Sequence, residues 1–351
     1  MNDLFDNDDL DIDDSVKKQP FYKVVNKSKK DKLEWLTAAF NSLKDQAQSR
    51  TSEQRDNLAL YRGISRRLYD RTLDRDSNRR RLNKLQKFVV NHLYDLTETK
   101  VSQITKIKPA VEVLPTNDEW QDRASAKVVS SIVKHLWYIN NIDYMRQQMH
   151  RHARIFGESY LFITWDDNAG DLHPAYVKAK KAGLDSVNLP NGTKVDLSKP
   201  VKTGDVCYEV ELPWRVLLQR ALRFEDSEYC FRIKAEQVDK LQDKYKGDKL
   251  NVNMQNMVFD IDTLEDRFLE DHIITVEFWH KQTEHLPEGY YAKFTVDRLL
   301  EENKEPETLQ HGELPFERLT DLDVPDKLNG VSRYETIGVM QGMYNNLSTL
   351  P

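Results

Sequence analysis

The chain has 351 residues, of which 39% are hydrophobic and 31% charged, and its formal net charge is −6 at pH 7. This length suffices for one large domain or two ordinary ones, and no run of residues approaches the roughly 18 apolar positions that cross a membrane. The first residues are acidic and do not show the basic-then-apolar pattern expected of a secretory signal peptide, and the negative balance argues against tight, non-specific binding to the DNA backbone as the main role.

The first part of the chain consists of two blocks of opposite charge. Residues 1–14 contain seven aspartates and no basic residue, and lysines dominate from residue 17 to residue 32. Charge blocks of this kind are usually solvated and mobile. We therefore predict that residues 1–32 form a charged, disordered arm, with a docking tail for a neighbouring subunit as the alternative interpretation.

Helical periodicity follows this arm. Apolar residues at helical spacing predict three helices, over residues 33–43, 53–69 and 88–101. Pro109 ends the last of them in a short extended segment. A fourth helix is expected after Thr116, which has the spacing of a capping box with Glu119. The clearest apolar stripe of the chain lies on it, at Val128, Val129, Ile132, Val133, Leu136 and Trp137.

A fifth helix, over residues 143–156, should end at Gly157, which suits a left-handed cap. Antiparallel strands follow. Two hairpins are predicted, one from residues 159–165 and 172–177 and one from residues 272–279 and 290–296. Further strands are predicted at residues 206–212, 229–233 and 314–319, with a short helix at 235–246. Because helices come first and antiparallel hairpins second, the sequence predicts an α+β fold rather than alternating α/β.

The C-terminal stretch carries the most informative helix signal. Ser332 and Glu335 form a capping box directly after Gly330. Behind the box, apolar residues recur at helical spacing at Tyr334, Ile337, Met340, Tyr344 and Leu347. Gly338 and Gly342 each cost about 1 kcal/mol of helix propensity, which either close approach of the same helix of a neighbouring subunit or a frayed or bent helix end would explain. We expect this helix to lead into a longer protein.

Motifs for catalysis are sparse. The sequence has no phosphate-binding loop, no nucleophile elbow and no H-E-x-x-H helix. His150 and His152 lie two apart on a predicted helix and point to different sides, which disfavours a shared metal. Cys207 and Cys230 form neither a disulfide framework nor a zinc-binding spacing, which fits synthesis in a reducing cytoplasm. We predict no metal and no other cofactor.

Two acidic segments match metal sites only in part. Asp166, Asn168 and Gly170 have the spacing of a calcium loop, but the twelfth position, where the loop needs glutamate, is Val177. A tight turn explains the same residues. A second acidic segment holds carboxylates that a two-metal nuclease could use. We interpret them as solvated surface; they are Asp260, Asp262, Glu265, Asp266, Glu270 and Asp271. We therefore predict that the chain is not an enzyme.

The strongest electrostatic feature is a basic run over residues 62–87, which holds ten Arg or Lys against three Asp. It has three interpretations: contact with nucleic-acid phosphates, a charged helix face, or salt bridges to acidic residues of a neighbouring subunit. Candidates for phosphate or interface contacts are Arg62, Arg66, Arg67, Arg79, Arg80 and Arg81.

Several blocks, in order, resemble the portal proteins of tailed bacteriophages, which connect head and tail. The first block, residues 86–115, is a helix that ends in Pro and a short strand, and the second, residues 124–171, is a helix pair with a Phe-Gly-Glu corner and a Trp-Asp hairpin. The third, residues 210–245, is a strand followed by Pro, a bulge and a helix. The fourth, residues 312–351, is a GELPF strand before the helix of GVSRYETIG. The resemblance implies a wing-like α+β domain over residues 33–325 and the start of the first stem helix over residues 326–351. The clip, second stem helix and crown would follow.

The resemblance also implies a structural role. Portal proteins form a ring of about twelve copies at one capsid vertex, and double-stranded DNA passes through its channel during packaging and ejection. The implied partners are other copies of the chain, DNA, the terminase large subunit, the major capsid protein and a tail adaptor, and the implied location is the virion. An acidic balance lets DNA slide through a channel. Candidates for channel or subunit faces are Arg333, Gln341, Asn345 and Asn346.

Two other classes of function remain open. A metal-dependent nuclease or other DNA-processing enzyme would bind divalent metal through the acidic residues and act as an isolated chain. A monomeric nucleic-acid-binding adaptor would use the basic run and show a salt-sensitive affinity for DNA. The portal interpretation predicts ring assembly instead.

Overall fold

A computed structural model describes residues 19–63, 90–166, 169–183, 186–188, 194–196, 200–245, 257–260, 265–269, 271–302, 312–325 and 327–348. Within these ranges the chain combines helices with antiparallel sheets, so the predicted α+β class is confirmed. Residues 1–18 of the predicted arm and residues 64–87 of the basic run lie outside them. No helix in the described part is long and apolar enough to span a membrane.

The described helices are α1 (Lys29–Tyr61), α2 (His92–Lys106), α3 (Trp120–Ile139), α4 (Ile142–Phe156), α5 (Pro174–Lys181), α6 (Val238–Lys244) and α7 (Tyr334–Ser348). The hydroxyl of Ser28 caps α1 by accepting from the N–H of Asp31 at 3.3 Å. α1 joins two of the predicted helices into one, because neither Pro nor Gly interrupts residues 44–52.

Residues 19–32 belong to the folded part of the chain, although their charge pattern predicts that they are part of the arm. A 3₁₀ turn (Phe21–Lys23) brings Phe21 into the core, where it is 2% exposed. Its ring packs 4.9 Å from those of Trp35 and Phe278. Burial of an aromatic side chain offsets the entropy of ordering this segment, a contribution that charge patterning does not reveal.

The described strands are β1 (Glu158–Asp166), β2 (Ser186–Asn188), β3 (Lys194–Asp196), β4 (Asp205–Glu211), β5 (Val216–Leu218), β6 (Tyr229–Gln237), β7 (Met257–Asp260), β8 (Glu265–Phe268), β9 (His272–His280), β10 (Tyr290–Phe294), β11 (Leu299–Glu302) and β12 (Phe316–Thr320). They form a three-stranded sheet in the order β12-β1-β4 and a five-stranded sheet in the order β11-β10-β9-β6-β5. Two small hairpins, β2-β3 and β7-β8, complete the described strands.

One predicted hairpin forms and the other does not. β9 and β10 pair as expected, with Tyr290 opposite His280. β1 instead pairs with β4 and β12, which are distant in sequence. The segment predicted as its hairpin partner contains α5, because Pro174 suits the first turn of a helix and the ring of His173 accepts from the N–H of Ala175 at 3.2 Å.

The core has three layers. The apolar face of α1, with Leu36 and Phe40, packs on one face of the five-stranded sheet, with Phe231 and Phe278. The three-stranded sheet packs against other residues of the five-stranded sheet through a second cluster of Tyr160, Phe162, Val216, Leu218, Cys230, Trp279 and Phe316. α2, α4 and α7 gather at the C-terminal end of α1, where a third cluster includes Leu60.

A close crossing of two glycines joins α4 and β1 to the segment before α7. Gly157 has φ 91°, and its N–H donates to the carbonyl of Ala153 at 2.7 Å, so the predicted left-handed cap is confirmed. A Cβ at this position would lie 2.6 Å from the carbonyl oxygen of Gly330, which is closer than real Cβ contacts. The two backbones therefore require glycine for steric reasons as well as conformational ones.

We expect Gly157→Ala to be markedly destabilising. A positive φ costs an L-residue about 1–2 kcal/mol, and the contact with Gly330 adds an overpacking term of about 1–3 kcal/mol. Gly183→Ala is the matched control, because Gly183 has φ 68° but no atom within 4 Å of its Cβ position. Urea denaturation of both variants should show a clearly larger decrease in the free energy of unfolding for Gly157→Ala. Equal decreases would show that Gly157 and Gly330 do not pack closely.

Candidate functional site

α7 has an inverted distribution of polar and apolar residues. Gln341 and Asn345 are 7% and 5% exposed, although both are polar. The amide of Gln341 donates to the carbonyl of Val90 at 2.5 Å and to Asn345 Oδ1 at 3.0 Å. The N–H of Val90 donates to the same Oδ1 at 3.4 Å. These side chains therefore satisfy backbone groups just before α2 and hold the two helices together.

Tyr334 extends the polar contact between α7 and α2. It is 4% exposed, and its hydroxyl lies 2.7 Å from Thr97 Oγ1 and donates to the carbonyl of Leu93 at 3.3 Å. The ring of Tyr344, further along α7, packs against His92 at 5.0 Å. One side of α7 is thus fixed to its own chain by hydrogen bonds.

The opposite side of α7 is apolar and exposed. Val339, Met340, Met343 and Leu347 are 60%, 65%, 62% and 70% exposed. Val339, Met343 and Leu347 recur every four residues, and Met340 lies three residues before Met343, so the four positions form one stripe, which we call the α7 stripe. Large apolar residues that lie singly on a surface need no explanation, but a continuous stripe of this kind usually marks an interaction site.

The two glycines of α7 have different surroundings. A Cβ at Gly338 would lie 2.8 Å from Leu60 Cδ1, so close approach of α1 accounts for this glycine within the chain. A Cβ at Gly342 would meet nothing within 4 Å. The chain's own α1, rather than a helix of a neighbouring subunit, thus accounts for Gly338, whereas no atom of the described chain accounts for Gly342.

The start of α7 is fixed by a small network. The hydroxyl of Ser332 donates to the carbonyl of Arg154 at 2.7 Å and accepts from the N–H of Tyr334 at 3.1 Å. The predicted capping box of Ser332 and Glu335 is therefore not what is observed, because α7 begins at Tyr334 and the hydroxyl of Ser332 binds the N–H of Tyr334 rather than that of Glu335. Asp321 lies 3.1 Å from Arg154 Nη1 and 3.5 Å from Arg333 Nε.

The predicted channel or interface residues thus fall into three groups. Arg333 is exposed and paired with Asp321, next to the start of α7. Gln341 and Asn345 are buried against Val90, which leaves little of either side chain for contacts outside the chain. The side chain of Asn346 lies outside the described residues. Their assignment to a channel or subunit face stays a prediction.

α3 carries a second exposed apolar surface. The predicted stripe exists, but Val128, Val129 and Ile132 are 59%, 44% and 50% exposed. The other edge of the stripe, which includes Val133 and Trp137, is half-buried, and α3 packs on α4. We call the exposed residues Val128, Val129 and Ile132 the α3 stripe.

The expected capping box at the start of α3 does not form. The helix begins at Trp120, after Glu119, and no side chain caps it. Trp120 itself is 81% exposed. The extended segment before it is tied to α3 by the N–H of Val113, which donates to Ser130 Oγ at 3.0 Å. α3 is therefore attached to the rest of the chain mainly through α4 and this extended segment.

Comparison of the chain with protein-family models and with curated proteins finds no match. The fold class and the two exposed stripes are therefore the firmest basis for an assignment of function. Of the predicted basic contacts, Arg62 ends α1, where its N–H donates to the carbonyl of Leu58 at 3.0 Å. The others, Arg66, Arg67, Arg79, Arg80 and Arg81, lie outside the described residues.

The acidic segments show no metal site in the described part of the chain, where no group of three His, Cys, Asp or Glu side chains could hold an ion. Asp266 forms a two-point ion pair with Arg55, at 3.0 and 2.9 Å. Asp262 and Glu270, like Asn168 of the calcium-like turn, lie outside the described residues. At that turn the N–H of Ala169 donates to the carbonyl of Asp166 at 3.1 Å.

Arg232 is a buried cation that sequence spacing does not reveal. It is fully buried in β6, and its guanidinium packs 3.7 Å from the ring centre of Phe162. Its Nε donates to Glu211 at 2.8 Å and its Nη1 to Glu277 at 3.3 Å. A further bond reaches Glu209. The guanidinium thus ties β6 and β9 of the larger sheet to β1 and β4 of the smaller one.

His150 and His152 do not share a site. Burial, and then the charge of Arg151, lowers the pKa of His152 to about 4. Its ring packs 5.7 Å from that of Phe156. Burial, and then the charges of Arg146 and Arg154, also lowers the pKa of His150. Both histidines are thus held in the neutral form near pH 7 by burial in the helical layer.

The depressed pKa of His152 predicts a specific pH dependence. Between about pH 6.5 and pH 4 the unfolded chain binds a proton that the folded chain does not, so the contribution is present above pH 6.5 and is lost as pH falls through this window. Between pH 7 and pH 4, the free energy of unfolding should fall by about 1–3 kcal/mol less in His152→Leu than in the wild-type chain. Urea denaturation at the two pH values measures this difference. His135→Leu, at an exposed position, is the control and should follow the wild type. If the free energy of unfolding of His152→Leu fell with pH as steeply as that of the wild type, the lowered pKa of His152 would be contradicted.

Proposed function

We propose that the chain is one subunit of a portal ring, the structural assembly at one vertex of a tailed-phage capsid through which double-stranded DNA is packaged and ejected. The observation that supports it best is the inverted distribution of residues on α7. A helix that binds its own chain through buried amides and leaves Val339, Met343 and Leu347 outside is suited to a larger assembly.

The position of α7 in the fold agrees with this role. It follows β12, and the glycine crossing and the pairs of Asp321 with Arg154 and Arg333 fix its direction relative to the sheets. In the proposed ring, α7 is the start of the first stem helix, and the sheets and remaining helices form the wing. The unexplained Gly342 then permits close approach of a neighbouring copy.

The proposal assigns partners and location together. About twelve copies form the ring, in closed cyclic symmetry. DNA occupies the channel, and the terminase large subunit, the major capsid protein and a tail adaptor contact the ring from outside. The chain is made in the host cytoplasm, resides in the virion and acts as a conduit rather than as an enzyme. Its acidic balance suits DNA that must slide.

Native mass measurement of the product of the complete reading frame tests this function against the two alternatives. The portal proposal predicts a mass that is a high multiple of the single chain, no metal-dependent cleavage of DNA, and weak affinity for duplex DNA. A folded monomer that cleaves DNA with Mg²⁺ would favour a nuclease. A folded monomer whose affinity for DNA falls steeply with salt would favour an adaptor.

A further inference from the structure

The two exposed stripes lie on different helices of the helical layer. α3 packs on α4, α4 packs on α2, and α7 packs on α2, while α1 packs on α2, α4 and α7. Side chains join these helices, because Arg151 of α4 binds Glu98 of α2 at 2.7 Å and Thr97 of α2 meets Tyr334 of α7. The α3 stripe and the α7 stripe are therefore carried by two helices that α4 and α2 connect.

The two stripes differ in the charge of the helices that carry them. α3 contains three basic residues, Arg123, Lys127 and Lys134, and one carboxylate, Asp122, in its first turn. α7 contains Glu335 and neither Lys nor Arg. Two copies of α3 packed on one another would bring like charges together, which is unfavourable, whereas α3 packed on α7 would not.

We infer that the α3 stripe of one copy docks on the α7 stripe of the next copy. This inference rests on the proposed ring and specifies its contact. Because the two surfaces are different, the contact is heterologous, and repetition of a heterologous contact generates a ring when the rotation closes. Each copy then buries both stripes, with Ile132 and Met343 near their centres. A contact of α3 with α3, or of α7 with α7, would instead be self-complementary.

Cross-linking between single cysteines tests the pairing in the full-length protein. Cys207 is replaced by serine in every chain, and the buried Cys230 is retained. Ile132→Cys and Met343→Cys are made separately, because both positions are at least half exposed in the single chain and tolerate substitution. A short bismaleimide is added to each variant alone and to assemblies formed from an equal mixture.

We expect a covalent dimer in the mixture and no dimer when either variant is treated alone. A chain that carries both Ile132→Cys and Met343→Cys should give a ladder of products that ends at the ring. Leu222→Cys, at a loop position that is 66% exposed, is the matched control for Met343→Cys and should give no dimer with Ile132→Cys.

Other outcomes would overturn the pairing, and native mass separates them from failure of the proposed function. Rings in which Met343→Cys links to itself would show that α7 stripes meet one another. Rings in which Ile132→Cys links to itself would show the same for α3. Rings without any cross-link would show that the stripes are covered in another way, including by residues of the same chain. Absence of rings would contradict the proposed function as well.

Discussion

Replacement of Leu347 by glutamate is expected to abolish ring assembly while leaving the chain folded. Leu347 is 70% exposed and lies in the α7 stripe, so the carboxylate remains in water in the single chain and the free energy of unfolding should change by no more than about 0.5 kcal/mol. In the assembly the same carboxylate would have to leave water for an apolar contact, at a cost of several kcal/mol per interface. Size-exclusion chromatography with light scattering should show monomers only.

The chain offers a matched control for this substitution. Leu222 is 66% exposed, lies in the loop between β5 and β6, and belongs to neither stripe. Leu222→Glu makes the same chemical change at nearly the same exposure, and should leave assembly unchanged. Rings formed by Leu347→Glu at wild-type concentration would show that the α7 stripe is not an interface. Loss of rings in both variants would indicate a general effect of added negative charge.

Arg232→Ala is expected to be the most destabilising single substitution considered for this fold. Its removal leaves Glu211 and Glu277 buried without their main cation, and breaking a buried ion pair in this way costs about 3–5 kcal/mol. Phe162 also loses the guanidinium that packs on its ring. Chemical denaturation monitored by circular dichroism should show the loss directly, or the variant should fail to fold.

Lys234→Ala is the control for the buried arginine. Lys234 lies on the same strand and pairs with Glu209 at 3.3 Å, but its side chain is 28% exposed. Burial raises the pKa of Glu209, yet the charges of Arg232 and Lys234 hold the pKa below its usual value. Removing the lysine should cost about 1 kcal/mol or less, because water screens a partly exposed pair. A similar loss in both variants would contradict the view that burial makes Arg232 important.

Local signals were sufficient for much of the secondary structure. Gly157 caps α4, and the β9-β10 hairpin pairs as expected. Each of these depends on a backbone preference or on alternation within a few residues, which a sequence displays directly. The α+β class follows from their order along the chain.

Non-local pairing was not predictable in the same way. β1 pairs with β4 and β12, because sheet neighbours are chosen by packing and register rather than by nearness in sequence. The predicted partner segment had a strand-like composition, yet the proline and histidine at its start favour a short helix. Arg232 gave no signal because a single arginine in a strand has no spacing to recognise; its neighbours Cys230 and Phe231 are the only indication that this strand is buried.

The stripes show a further limit of sequence patterns. Helical spacing correctly indicated an apolar face on α3, but it could not tell that Val128 and Ile132 remain uncovered within the chain. On α7 the polar Gln341 and Asn345 are buried, because they bind the backbone at Val90. A sequence pattern reveals that a face is apolar; whether its partner is the same chain or another depends on tertiary structure.

Single-particle electron microscopy of the full-length product tests whether this chain assembles into a portal ring. We expect closed rings with a central channel, built from copies whose α7 helices each contact a neighbour. A homogeneous, folded monomer at concentrations where portal rings would assemble would contradict it. Open filaments would also contradict it, because they would show that the contact between copies does not close into a ring.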